Sequence, residues 1–109
     1  MSTAKQGLEE WLEKLQAEKQ DAETRLKQAE VNMSLAQIKL SIAKDAKHRV
    51  PQSEERQNEF HEKYVKNLEV SYNSHLANNE QNRREIRKEI ADLTALISSI
   101  QEALPQIDF

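Results

Sequence analysis

The sequence predicts an all-α fold: two long helices forming an antiparallel coiled-coil hairpin that dimerises into a four-helix bundle near its turn. Three observations carry that expectation. Alanines recur every seven residues at Ala22, Ala29, Ala36 and Ala43, the repeat of a helix built to lie against another helix. The 109 residues include one Gly and two Pro, with 32% charged, which is the composition of long helices. One of the two prolines, Pro51, falls near the middle of the chain and disfavours helix at the residue before it.

Helix 1 is expected at about residues 4–49. Taking the alanines as d positions, the d series reads Leu8, Leu15, Ala22, Ala29, Ala36, Ala43, Val50, and the a series Leu12, Lys19, Leu26, Met33, Leu40, Lys47. Small residues at alternate seam positions allow two backbones to approach closely. The turn is expected at about 50–52. Ser53 followed by Glu54 and Glu55 then reads as an N-cap with acidic residues in the first turn, placing helix 2 at about 53–104.

Helix 2 carries its own seam through His61, Val65, Leu68, Tyr72, Leu76, Asn79, Arg83, Ile86, Ile90, Leu93, Ile97, Ile100 and Leu104. Steps of three and four alternate except at Leu68–Tyr72–Leu76, where two fours follow one another, the signature of a stutter. Folding about Pro51 through a short link pairs residues whose numbers sum to about 103. That register sets the polar stretch from Ala17 to Arg25 against the polar stretch from Ala77 to Glu85. It also sets Leu8, Trp11, Leu12 and Leu15 against Ile86, Ile90, Leu93 and Leu96, and two patterns agreeing in one register support the hairpin. A second turn at Asn78-Asn79, giving three helices, is the competing arrangement. After Pro105 the tail 105–109 either folds back on Trp11 and Leu8 or docks elsewhere as a short motif.

The seam does not absorb every apolar residue. Val31, Leu35, Ile38 and Ile42 form a second stripe on helix 1, facing away from the ladder, while Phe60 and Tyr64 flank the helix 2 seam over the matching stretch. A helix apolar on two sides belongs in a larger bundle. The six residues are therefore the expected self-association or partner surface, with a homodimer the commonest solution and another protein as the alternative cover.

Other chemistry is not expected. No cysteine occurs, so there is neither a disulfide framework nor a thiolate nucleophile. No Glu-x-x-His or His-x-x-x-His spacing is present; Asp45-x-x-His48 is single, and His61 and His75 read as seam-edge side chains. One glycine, Gly7, cannot cradle a phosphate. Catalytic, cofactor and metal residues are therefore assigned to none. Lys39, Lys44, Lys47 and Arg49 followed by Glu54, Glu55, Glu59 and Glu62 match the dipoles of the two helix ends and are expected side by side across the turn. The run Arg83-Arg84-Glu85-Ile86-Arg87-Lys88 is interspersed with carboxylates, Glu80 four residues before Arg84 and Glu85 and Glu89 among the cations, and Arg83 is expected to reach the Glu18/Asp21 region. With a net charge of −3, nucleic acid is not an expected partner; a nucleic-acid role through residues 83–88 and a chaperone-like or secretion-associated cargo binder are the rival readings. No apolar run long enough for a membrane span and no leader pattern is present, so the expectation is a single cytoplasmic domain over 1–109. No motif specific to a known helical-hairpin family emerges.

Overall fold

A computed structural model describes residues 3–51 and 53–109; of the expected turn, Gln52 lies outside the described residues. The chain is all-α, without strands among the described residues. Helix α1 spans Ala4–Arg49, α2 spans Glu54–Phe60, a π-helical turn covers His61–Val65, and α3 spans Lys66–Ala103 before a 3-10 turn at Leu104–Gln106. The competing arrangement, a second turn at Asn78-Asn79, is absent: α3 runs through those residues unbroken.

The helix ends follow from local chemistry. The Thr3 hydroxyl accepts from Gln6 N–H at 3.1 Å and the Gln6 amide oxygen accepts from Thr3 N–H at 3.0 Å, a reciprocal capping box that satisfies two orphan donors. Lys47, His48 and Arg49 occupy the last turn of α1, where cations complement the carbonyl end of the dipole. Beyond it Ser53 is extended and its hydroxyl accepts from Arg56 N–H, the N-cap expected of it. Pro105 ends the regular helix, and Ile107 N–H bonds back to Leu104 O at 3.0 Å.

The described residues group into two compact units, and both α1 and α3 contribute to each. One joins the chain up to Lys27 to Arg83–Phe109; the other is Gln28–Asn82. In the first, Leu15, Leu93, Ile97 and Ile100 form a buried cluster with Leu12 and Leu104 packed against it. Its strands of helix are antiparallel: Lys5 N–H donates to Phe109 O at 2.8 Å at one end, and Arg25 pairs with Glu89 at the other. The tail thus folds back onto the start of α1. In the Gln28–Asn82 unit the buried cluster is smaller, Leu40, Ala43 and Val65, with Phe60, Leu68 and Tyr72 against it.

The register departs from the expected one. Ala29 meets Asn79 rather than Ser74, Lys47 meets His61 rather than Arg56, and Lys44 pairs with Glu69 at 3.7 Å rather than lying beside Glu59. Leu15 packs with Leu93, Ile97 and Ile100, not with Ile86 and Leu96, and Leu96 is exposed. The link is short, as expected, and Ser53 at its end is extended. The π turn then adds a residue without a matching advance, with Lys66 N–H bonding His61 O five positions back. Apart from Lys44, which reaches Glu69, the basic and acidic clusters form ion pairs locally along the chain, Arg49–Asp45, Arg56–Glu59 and Lys66–Glu62.

Val65, at the end of the π turn, is the one large side chain fully withdrawn from solvent among the described residues, whereas Val70 is 62% exposed. Val65→Ala is expected to lower unfolding free energy by about 1–3 kcal/mol, and Val70→Ala to change it by less than about 0.5 kcal/mol. Urea denaturation followed by circular dichroism separates the two. Equal effects would mean that the π turn does not place Val65 in the seam.

Candidate interaction surface

Every a and d position of the α1 ladder from Leu8 to Val50 is buried or half-buried; apart from Ala46, every other described residue from Thr3 to Val50 is exposed. The predicted seam residues Leu12, Leu15, Ala22, Leu26, Ala29, Met33, Ala36, Leu40 and Ala43 lie on that face. On the second half of the chain, Val65, Leu68, Tyr72, Ile86, Ile90, Leu93 and Ile97 are likewise buried or half-buried. Leu76 is not: it is 42% exposed, a correction to its assigned place. After the two consecutive steps of four, the seam line passes between His75 and Leu76, so neither side chain is centred on it, and all of residues 73–78 are exposed.

Because Met33, Ala36, Leu40 and Ala43 occupy the inward face, Val31, Leu35, Ile38 and Ile42 point away from it. They are 49%, 47%, 54% and 63% exposed. Their spacing of four, three and four is itself a heptad stripe. Opposite Ile42, the end of α2 and the π turn present Phe60 and Tyr64, whose rings lie 4.9 Å apart, tilted by 47°. Phe60 is half-buried against the Leu40–Ala43–Val65 cluster and Tyr64 is about half exposed. Lys63 extends over the Tyr64 ring, its Nζ 5.2 Å from the centroid, a geometry that attracts a cation to the π face.

These side chains enclose a groove of about 430 Å³ lined by Lys39, Ile42, Ala43, Phe60, Tyr64 and Leu68. A second groove of about 330 Å³ is bounded by Asn32, Leu35, Ala36, Lys39, Leu68, Tyr72, His75 and Asn79, among others. Lys39 and Leu68 border both, so the two are successive stretches of one trough. All six residues expected on the association surface belong to the Gln28–Asn82 unit. Four of them, Leu35, Ile42, Phe60 and Tyr64, line the trough; Val31 and Ile38 complete the stripe beside it.

Polar side chains lie along the helix seam in each of the two units. Asn79 Nδ2 donates to the Ala29 backbone carbonyl at 2.9 Å, which a short amide reaches only if the facing backbone is near. Asn79 Oδ1 and Arg83 Nε are buried without a hydrogen-bond partner. The expected reach of Arg83 to the Glu18/Asp21 region gives way to another arrangement. Arg25 Nε donates to Asp21 at 3.1 Å, while Arg25 Nη2 donates to both Glu89 oxygens at 3.0 and 2.9 Å. Hydrogen bonds to Glu89 and then Asp21 raise the Arg25 pKa above its ordinary value. Near the turn, Lys47 Nζ lies 3.4 Å from half-buried His61 Nδ1.

Sequence reasoning missed the π turn, the capping box and the Asn79 bond. Only the Thr-x-x-Gln spacing of the capping box announced itself in the residues. In the 83–88 run, Lys88 pairs with Glu85 at 4.0 Å, and Arg84 and Arg87 are also engaged. Among the described residues no three His, Asp or Glu side chains are grouped so as to hold a metal ion, and no helix is long and apolar enough to cross a membrane. Compared with protein-family models, curated proteins and solved structures, the chain matches none.

A polar group at a seam position specifies register at a cost in stability. Asn79→Leu is therefore expected to leave stability unchanged or raise it by about 1 kcal/mol, while amide resonances of residues 72–80 broaden or double as a second register appears. A destabilised variant with single sharp resonances would remove Asn79 from that role.

Proposed function

We propose that the protein is a non-enzymatic, self-associating interaction module, a coiled-coil scaffold, adaptor or inhibitor subunit working in the cytoplasm. The observation that carries the reading is the exposed heptad stripe Val31–Leu35–Ile38–Ile42 beside the Phe60/Tyr64 groove. The seam already satisfies α1 on its opposite face, and about half of each stripe residue is left outside the hairpin's own packing. Among the described residues, seven of the ten large hydrophobic residues left exposed lie in the Gln28–Asn82 unit, the one with the smaller buried cluster. The exposed parts of Val31, Leu35, Ile38, Ile42 and Tyr64 amount to roughly 500 Å² of apolar surface, near the upper end of what a monomer leaves uncovered. Burying it against protein is favourable at about 25 cal/mol per Å² before association entropy is charged. The mixed charges and paired cations of residues 83–88 offer no comparable support for nucleic acid.

The double variant Ile38→Glu/Ile42→Glu puts charge into the stripe without touching the seam. It is expected to keep its helical circular dichroism signal while weakening self-association by about a hundredfold or more, read as a shift from dimer to monomer in size-exclusion chromatography with light scattering. Loss of helicity would place the stripe in the intramolecular core. An unchanged dimer would move the association surface elsewhere.

A further inference from the structure

The proposed self-association has a geometry that the stripe itself dictates. We infer that the occupant of the trough is a second copy of this chain, docked antiparallel about a two-fold axis between Leu35 and Ile38, so that Val31 of each copy meets Ile42 of the other. This deepens the self-association reading and rests on it.

Three observations lead there. First, the four-three-four spacing of Val31, Leu35, Ile38 and Ile42 reads the same in either direction. A copy reversed about its centre sets knob opposite knob, Val31 against Ile42 and Leu35 against Ile38, as a self-complementary two-fold interface requires. Second, charge selects this orientation over the parallel one. Lys39 borders both grooves. A parallel mate would bring each Lys39 against its own counterpart, and opposed like charges are destabilising. Reversal about that axis carries Lys39 to the level of Ser34, a neutral hydroxyl. Third, the area is right. The stripe and Tyr64 supply roughly 500 Å² of the ~800 Å² per partner that a standard interface buries. The trough beside them, bordered by Phe60, Leu68 and Tyr72, supplies further apolar surface of the kind that forms the dry core of such an interface. In this register Val31 of the mate enters the groove between Ile42 and Tyr64.

The absence of native cysteine makes the test clean. Val31→Cys/Ile42→Cys places two thiols on exposed positions of one helix, eleven residues and about 16 Å apart, too far to bridge within a chain. The variant is checked for unchanged helicity, oxidised at micromolar concentration, digested without reduction and mapped by mass spectrometry. Alongside, sedimentation of the reduced variant gives its oligomeric state. The antiparallel mate predicts linkage of residue 31 to residue 42 between chains, exceeding 31–31 and 42–42 linkage by roughly tenfold or more. Predominant 31–31 and 42–42 links would overturn the orientation while leaving self-association intact. A dimer that forms no link would overturn the use of this face. A monomer would overturn the self-association reading itself.

Discussion

With alanine at the d positions from Ala22 to Ala43, the inward face of α1 has little side-chain bulk to bury, and stability must come from backbone proximity. The contact between Asn79 Nδ2 and the Ala29 carbonyl, 2.9 Å across the Gln28–Asn82 unit, is the measure of that proximity. A larger residue at position 29 would hold the helices apart and break it. Close approach also limits how much the seam can bury: among the described residues the core of this unit amounts to Leu40, Ala43 and Val65 with three flanking neighbours. A narrow seam leaves the remaining apolar residues of α1 to find cover elsewhere. The outward stripe is thus a consequence of the ladder.

The π turn at His61–Val65 is the second constraint. It rotates Val65 fully into the seam while Phe60 and Tyr64 emerge on the trough side. The same turn holds His61 Nδ1 3.4 Å from Lys47 Nζ. One local departure from α-helical bonding therefore serves the core, the aromatic wall of the trough and a polar contact at the seam edge. Such insertions in otherwise regular helices recur where a surface has work to do.

The seam of α1 was legible because its period is global: one phase error would have exposed every later position, and none but the adjoining Ala46 joins the buried face. The outward stripe was legible for the same reason, as the complement of that pattern. Register across the hairpin was not. It depends on where α2 begins after extended Ser53 and how far the π turn shifts α3, and neither Ser53 nor His61 signals a displacement through composition. The stutter near Leu68–Leu76 was visible as spacing, but spacing alone could not tell whether His75 or Leu76 would take the seam; both lie outside it. Polar reach was equally hidden: Arg25 and Arg83 sit in similar surroundings in the sequence, and only the realised register shows that Glu89 is within range of Arg25.

The account turns on a single claim, that the face left over by the alanine ladder is covered by another copy of the chain. Sedimentation equilibrium of the unmodified protein across nanomolar to high-micromolar concentration addresses it most directly. The account predicts a reversible rise from the 12.7 kDa monomer mass to about twice that value, with no larger species, as a closed two-fold interface requires. A single species at monomer mass throughout the range would contradict it.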